Sequence, residues 1–173
     1  MIRKTMVAIG VSLAVAFAGS FAQAQSKAPS QAEKSFMTKA MQGDMAEVKM
    51  GQLAEQNGQS AKVKDFGKTL VQDHSANLDK AKSIAQSMSV QVPSAPNAKQ
   101  KAAYDKLSKL NGAAFDKKFA KDMVKDHKKD ISEFEREAKK SGKVADFAKQ
   151  TLPTLKKHLS IAQSLKPGTT GSK

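Results

Sequence analysis

The chain has 173 residues and a formal net charge of +14, with 30 lysines and arginines against 16 aspartates and glutamates. It contains no cysteine, which excludes a disulfide framework and a cysteine nucleophile. One tyrosine, no tryptophan and no basic run interleaved with aromatic residues argue against sequence-specific nucleic-acid binding.

The first residues have the pattern of a secretory signal peptide. Arg3 and Lys4 precede an apolar run over residues 6 to about 18, and Ala22-Gln23-Ala24 matches the small-x-small cleavage pattern. We expect a signal peptide at residues 1–24 and an exported protein of the periplasm or cell envelope. It is expected to be soluble after cleavage near Ala24, because no later apolar run approaches membrane-spanning length. The absence of cysteine excludes a lipoprotein anchor.

The rest of the chain is expected to contain one domain. We predict an N-terminal linker at residues 25–33, a helical domain at 34–165 and a disordered tail at 166–173. The positive charge is nearly all lysine and is spread over every predicted helix. A dispersed lysine face keeps a helical protein soluble, and attraction to an anionic envelope surface is the alternative that this charge leaves open.

The first two helices are marked by local capping and ending signals. Ser30-Gln31-Ala32-Glu33 has the form of a capping box, and the first helix is predicted to end at Asn57-Gly58. The second helix is predicted from near Ser60 to about Met88. Apolar residues recur along both with the helical period rather than the alternation of a strand.

The second half of the chain repeats this organisation after a proline-containing break at residues 92–97. Asn97 can cap a short helix that ends near Leu110, and long helices are predicted over about 113–140 and 144–165. Residues 62–68 resemble residues 143–149, and residues 83–87 resemble residues 160–164. We therefore predict an all-α fold, a ferritin-like up-down four-helix bundle of two hairpins with a long, partly helical crossover.

The three histidines of the chain lie on the apolar stripes of three different long helices. His74, His127 and His158 are each roughly 22–24 Å from their hairpin turn at about 1.5 Å per residue. Glu47 lies on the stripe of the first helix, roughly 16 Å from its turn and about one turn out of line. Imidazoles with a carboxylate are typical ligands of a single first-row transition metal.

These four side chains have two interpretations. The sequence favours a buried polar cluster that fixes the register of the helices. The alternative is a metal site formed by His74, His127, His158 and Glu47, with a single transition metal as the cofactor. Asp130, one turn after His127, is predicted to support that ring, whereas Asp73 and Asp126 point away from the histidines that follow them.

Enzymatic chemistry is not expected. The Glu-x-x-His spacing of di-iron carboxylate proteins is absent, because the residues three positions before the histidines are Val71, Val124 and Leu155. The chain also lacks a glycine-rich phosphate loop and a serine in the context of a nucleophile elbow.

Four segments resemble one known family. They are Gly43-Asp44-Met45-Ala46-Glu47, Leu70-Val71-Gln72-Asp73-His74, Met123-Val124-Lys125-Asp126-His127 and residues 151–159. They are similar to segments of exported bacterial proteins grouped as domain of unknown function 4142 (DUF4142), some of which carry an outer-membrane label. The resemblance covers roughly residues 36–165. It implies a ferritin-like helical bundle in the cell envelope and brings no activity, substrate or catalytic residue.

Taken together, the sequence predicts an exported helical protein that acts as a non-enzymatic binding or envelope-stress module. Two alternatives stay open. One is a metal-binding protein with a histidine-rich site inside the bundle. The other is a basic surface protein that docks on anionic envelope polymers.

Overall fold

The computed structural model describes residues 28–165, and over these residues the protein is all-helical, with five helices and no strand. The helices are α1 (Gln31–Asn57), α2 (Ala61–Ser87), α3 (Ala98–Leu107), α4 (Gly112–Ala138) and α5 (Lys143–Ser164). The all-α prediction is confirmed. The predicted signal peptide and C-terminal tail lie outside the described residues. Residues 31–33 of the predicted linker already belong to α1.

Side-chain caps account for the starts of three helices. The Ser30 hydroxyl accepts from the Glu33 amide at 3.2 Å, and the Glu33 carboxylate accepts from the Ser30 amide at 2.8 Å, so the predicted capping box is present. Asn97 and Gln100 form the same reciprocal pair at the start of α3. Ser60 caps α2 through the Val63 amide. The short helix ends at Leu107, earlier than the predicted Leu110.

Two helical hairpins run in opposite senses. Helix α1 packs chiefly against α2, and α4 packs chiefly against α5. The turn between α1 and α2 lies beside the start of α4, where the backbones of Gly58 and Gly112 pair. The Asp116 carboxylate accepts there from the Gln59 and Ser60 amides, both at 2.9 Å. The turn between α4 and α5 is therefore at the opposite end.

The interior consists of two apolar clusters with a polar layer between them. One cluster, near the α1–α2 turn, includes Phe66, Phe115 and Phe119. The other, near the α4–α5 turn, includes Met41 and Phe147. The buried polar side chains of the middle layer are Asp44, Glu47, His74, His127, Thr151 and His158. Because the apolar clusters cover this layer on both sides, its polar groups are held away from water.

Two glycines bring the backbones of α1 and α2 unusually close. A Cβ atom added to Gly51 would lie 2.6 Å from the carbonyl oxygen of Gly67, and one added to Gly67 would lie 2.6 Å from that of Gly51. A larger residue at either position would push the two helices apart, so the first hairpin depends on both glycines.

Candidate metal centre

Three buried histidines meet in the polar layer. His74 of α2, His127 of α4 and His158 of α5 are 5%, 1% and 0% exposed. Each offers one ring nitrogen, and these nitrogens lie within 4.8 Å of one another. The predicted layer of histidines is present although the two hairpin turns lie at opposite ends. It survives this difference because His74 and His127 lie near the middle of their helices and His158 lies beside His127.

A hydrogen-bond chain from three helices sets the tautomer of His74. The Nδ1 atom of His74 lies 2.8 Å from Asp44 Oδ1, and the Asn77 amide donates to both oxygens of Asp44 at 3.1 and 2.9 Å. The Thr151 hydroxyl donates to Asn77 Oδ1 at 2.9 Å, which orients the amide. Asp44, as a carboxylate that accepts from His74 and Asn77, keeps a proton on Nδ1. The Nε2 atom of His74 is buried and has no hydrogen-bond partner among the described residues.

His127 and His158 are held with their lone pairs facing each other. The Nδ1 of His127 donates to the Met123 carbonyl at 2.9 Å, so in the neutral ring Nε2 carries the lone pair. The Nε2 of His158 donates to Asp73 at 2.9 Å, so Nδ1 carries the lone pair. These two nitrogens, His127 Nε2 and His158 Nδ1, are 3.3 Å apart. Two neutral rings anchored in this way have no proton to share.

The electrostatic environment favours neutral rings at His127 and His158. Burial, followed by the neighbouring His74 and His158, lowers the pKa of His127 to about 3. Burial lowers the pKa of His158 to about 4, although its hydrogen bond to Asp73 opposes the shift. Burial alone would lower the pKa of His74, but the hydrogen bond to Asp44 and the charge of Glu47 outweigh it, so this pKa lies above its ordinary value. Near neutral pH the facing nitrogens of His127 and His158 therefore both stay unprotonated.

Glu47 lies beside this cluster rather than within it. Its side chain is 5% exposed, and Oε2 is buried without a hydrogen-bond partner among the described residues. Burial raises its pKa to about 8, an effect that the charge of His74 partly offsets. The group of ligand atoms within 4.8 Å consists of the three histidines and does not include Glu47. The structure thus places three of the four predicted ligands together and the fourth nearby.

The α1 side chain that contacts a histidine is Asp44, which was not among the predicted ligands. Asp44 lies one turn before Glu47 and roughly 21 Å from Gly58 along the helix, closer to the height of the histidines. The same height estimate that put Glu47 out of line could have found it. Asn77 and Thr151 were missed as well, since amide and hydroxyl groups on helices carry little signal of their own.

The predictions made for Asp130 and Asp73 as partners of the histidines had opposite outcomes. Asp130 was expected to support His127, but the Met123 carbonyl accepts from that ring, and Asp130 pairs with Lys129 at 3.4 Å. The prediction for Asp130 was wrong because a backbone carbonyl one turn earlier already lies within reach of Nδ1. Asp73 points away from His74 as expected, and it reaches across to His158 of α5.

The arrangement has the form of a metal site with three protein ligands. Each ring uses its outer nitrogen to donate to an oxygen and keeps its inner nitrogen free, as metal-ligating histidines do. In a tetrahedral site with metal–nitrogen bonds of about 2.0 Å, ligand nitrogens lie about 3.3 Å apart. The spacing between His127 and His158 already has this value. The nitrogen of His74, which lies within 4.8 Å of the other two, would need to move by up to about 1.5 Å.

The comparisons with known proteins bear on the family and not on the activity. The model of the family described as "Domain of unknown function (DUF4142)" matches residues 18–165, which is most of the chain. No curated protein and no solved structure matches the chain. None of the helices in residues 28–165 is both long enough and apolar enough to cross a membrane.

Proposed function

Since the chain belongs to the DUF4142 family, whose description assigns no function, we propose from its own residues that it binds a single transition-metal ion. The ligands are His74, His127 and His158. One observation carries the proposal, namely that the outer partners of the three rings leave one nitrogen of each ring within one small volume. A divalent cation would relieve the close approach of the lone pairs of His127 and His158.

The donor set suits a borderline metal. Imidazole nitrogens bind Zn²⁺, Co²⁺, Ni²⁺, Cu²⁺ and Fe²⁺, and the chain offers no thiolate that would select a softer ion. Glu47 is proposed as the fourth ligand, because its Oε2 is buried, unpartnered and close enough to His74 to influence its charge. Burial between two apolar clusters would slow the exchange of a bound ion with water.

The wider role follows from where the ligands lie. We propose a ferritin-like bundle in which the two hairpins face each other and contribute ligands from facing helices. The sequence pattern of residues 1–24 supports export, and the absence of Glu-x-x-His pairs supports binding or buffering of a metal in the cell envelope rather than oxidation chemistry. Docking on anionic envelope polymers is the second proposal, supported by the net charge of +14.

Cobalt titration of chelator-stripped protein tests the metal proposal. We expect one equivalent of Co²⁺ to bind and to produce visible absorption bands of nitrogen coordination. His127→Gln should lower the affinity by at least about 100-fold, because removing a ligand costs at least as much as removing its supporting partner. The control is Leu70→Ala, a buried apolar truncation one turn before His74 that lowers stability but leaves every ligand in place.

Two results would contradict this function. One is protein that binds none of the five divalent ions at micromolar concentration. The other is equal loss of affinity in the His127→Gln and Leu70→Ala variants, which would show that the histidine acts only through stability. Either result would support the alternative of a polar cluster that fixes helix register.

A further inference from the structure

A cavity beside the histidine cluster lies between α1, α3 and α4. It measures about 160 Å³, and its wall carries the carboxylates of Glu47, Asp126 and Asp130. A second cavity of about 250 Å³ shares Gly43 and Asp130 with the first and extends to His74. The two cavities adjoin at these shared residues, and together their walls extend from Lys99 of α3 to His74, one of the three proposed ligands.

The carboxylates of this cavity follow a gradient of burial. Lys99 of α3 is exposed at its mouth, Asp126 and Asp130 are half-buried, and Glu47 at the inner end is buried. Asp126 makes no hydrogen bond or ion pair with another described residue, and Oε2 of Glu47 is equally unpartnered. Asp130 pairs with Lys129, which also contacts Glu133 at 3.1 Å. Asp126 is therefore an unpaired carboxylate on the wall of the cavity, and Glu47 offers an unpartnered oxygen deeper in the same wall.

The charge of the whole chain makes such a cluster unexpected. A protein of net charge +14 repels cations over most of its surface. The three carboxylates are near enough to influence one another, since Asp130 and Asp126 both act on Glu47. The wall also carries Lys99 and Lys129, and Lys129 pairs with Asp130, so the unpaired Asp126 is the group best placed to attract a cation.

Gly43 leaves unfilled space in the wall of the cavity. A Cβ atom added to Gly43 would have no neighbour within 4 Å, although Gly43 lies in the middle of α1 and lines both cavities. The missing side chain leaves space at the point where the two cavities adjoin. A large side chain at this position would close the connection.

We propose that this carboxylate-lined gap is the entry route by which a divalent cation reaches His74, His127 and His158, with Glu47 as its innermost carboxylate. The inference rests on the proposed metal site and adds a path to it. Oxygen ligands that bind such ions weakly at the surface would pass them inward to the nitrogen ligands, which bind them more strongly.

Stopped-flow measurement of Co²⁺ uptake by the metal-free chain tests the route. In the double variant Asp126→Asn/Asp130→Asn, the association rate constant should fall about tenfold at low ionic strength, with the equilibrium affinity within about twofold of wild type. The difference should shrink in high salt, which screens the attraction. A matched control, the double variant Asp65→Asn/Asp79→Asn, removes the same charge from exposed positions on α2 and should keep the wild-type rate.

A steric variant gives an independent measurement. Gly43→Leu should slow Co²⁺ uptake by filling the connection, whereas Gly43→Ala should leave it open. If wild-type protein binds no Co²⁺, the proposed metal function itself fails. If wild type binds and both the carboxylate and the leucine variants take up Co²⁺ at its rate, only the entry route is overturned. A fall in equilibrium affinity that matches the fall in rate would also overturn it, because the carboxylates would then be ligands.

Discussion

At the scale of single residues, the partners of the histidines decide what the site can do. A histidine in a helical core is ordinarily a packed polar side chain with one or both nitrogens satisfied. Here Asp44, Asp73 and the Met123 carbonyl bind the outer nitrogens, so the other nitrogen of each ring lies close to those of the other two rings. The supporting oxygens therefore distinguish a metal site from a polar cluster more sharply than the histidines do.

The raised pKa of Glu47 predicts how the stability of the metal-free protein depends on pH. Its pKa in the folded chain is raised to about 8 from 4.5, so the folded state holds a proton that the unfolded chain releases between these pH values. The contribution of Glu47 to stability is thus complete below about pH 4.5 and is lost as the pH rises towards about 8. Glu47→Gln cannot titrate and lacks this dependence.

The free energy of unfolding of wild type relative to Glu47→Gln should accordingly fall by up to about 1.4 kcal/mol per pH unit across this window. Denaturant unfolding of both proteins between pH 4.5 and 8.5, with a chelator present, measures the difference. Parallel pH profiles would show that the carboxyl group is not held neutral by burial.

At the scale of helices, the close contact between α1 and α2 determines the geometry of the first hairpin. The carbonyl of each glycine in the pair Gly51 and Gly67 occupies the space that a Cβ atom of the other would need. This contact lies in the apolar cluster below the histidine layer. Both α1 and α2 carry site residues, so a change in their spacing would move Asp44 relative to His74.

Alanine at either glycine should therefore destabilise the fold despite its higher helix propensity. We expect Gly67→Ala to lower the free energy of unfolding by about 1–3 kcal/mol, because backbone must move to admit the methyl group. Gly43→Ala, in open space on α1, should instead raise it by about 0.5–1 kcal/mol. Urea unfolding of both variants beside wild type measures the contrast. Equal and small effects at the two positions would contradict the close contact.

At the scale of the whole molecule, the proposed metal would join the two hairpins. His74 belongs to the first hairpin, and His127 and His158 belong to the second. In the metal-free state the hairpins are joined at this level by packing and by side-chain hydrogen bonds such as His158 to Asp73. A metal held by all three rings would act as a cross-link that exists only in the folded state.

Metal should consequently raise the melting temperature. At a free metal concentration of 100 times Kd, the stabilisation is about 2.7 kcal/mol. For a domain of this size that corresponds to roughly 5–10 °C. Circular-dichroism melts with Zn²⁺ and with excess chelator measure the shift, which His158→Gln should abolish. A shift that persists in His158→Gln would place the metal elsewhere on the protein.

The sequence by itself determined the helices, most of their ends and the common level of the histidines. Capping boxes and the helical period are properties of neighbouring residues, so Ser30, Asn57 and Asn97 mark helix ends without reference to the rest of the fold. The heights of the histidines along their helices could be estimated by counting residues from the turns, because a helix rises by a constant amount per residue.

Only the tertiary structure decided which partners those histidines have. Asp73 directly precedes His74 on α2, yet it accepts a hydrogen bond from His158, 85 residues away. Asp44 rather than Glu47 contacts His74. These pairings depend on how the helices are rotated and offset against one another. Those quantities are set by packing across the whole core, including the close approach at Gly51 and Gly67, and no local pattern encodes them.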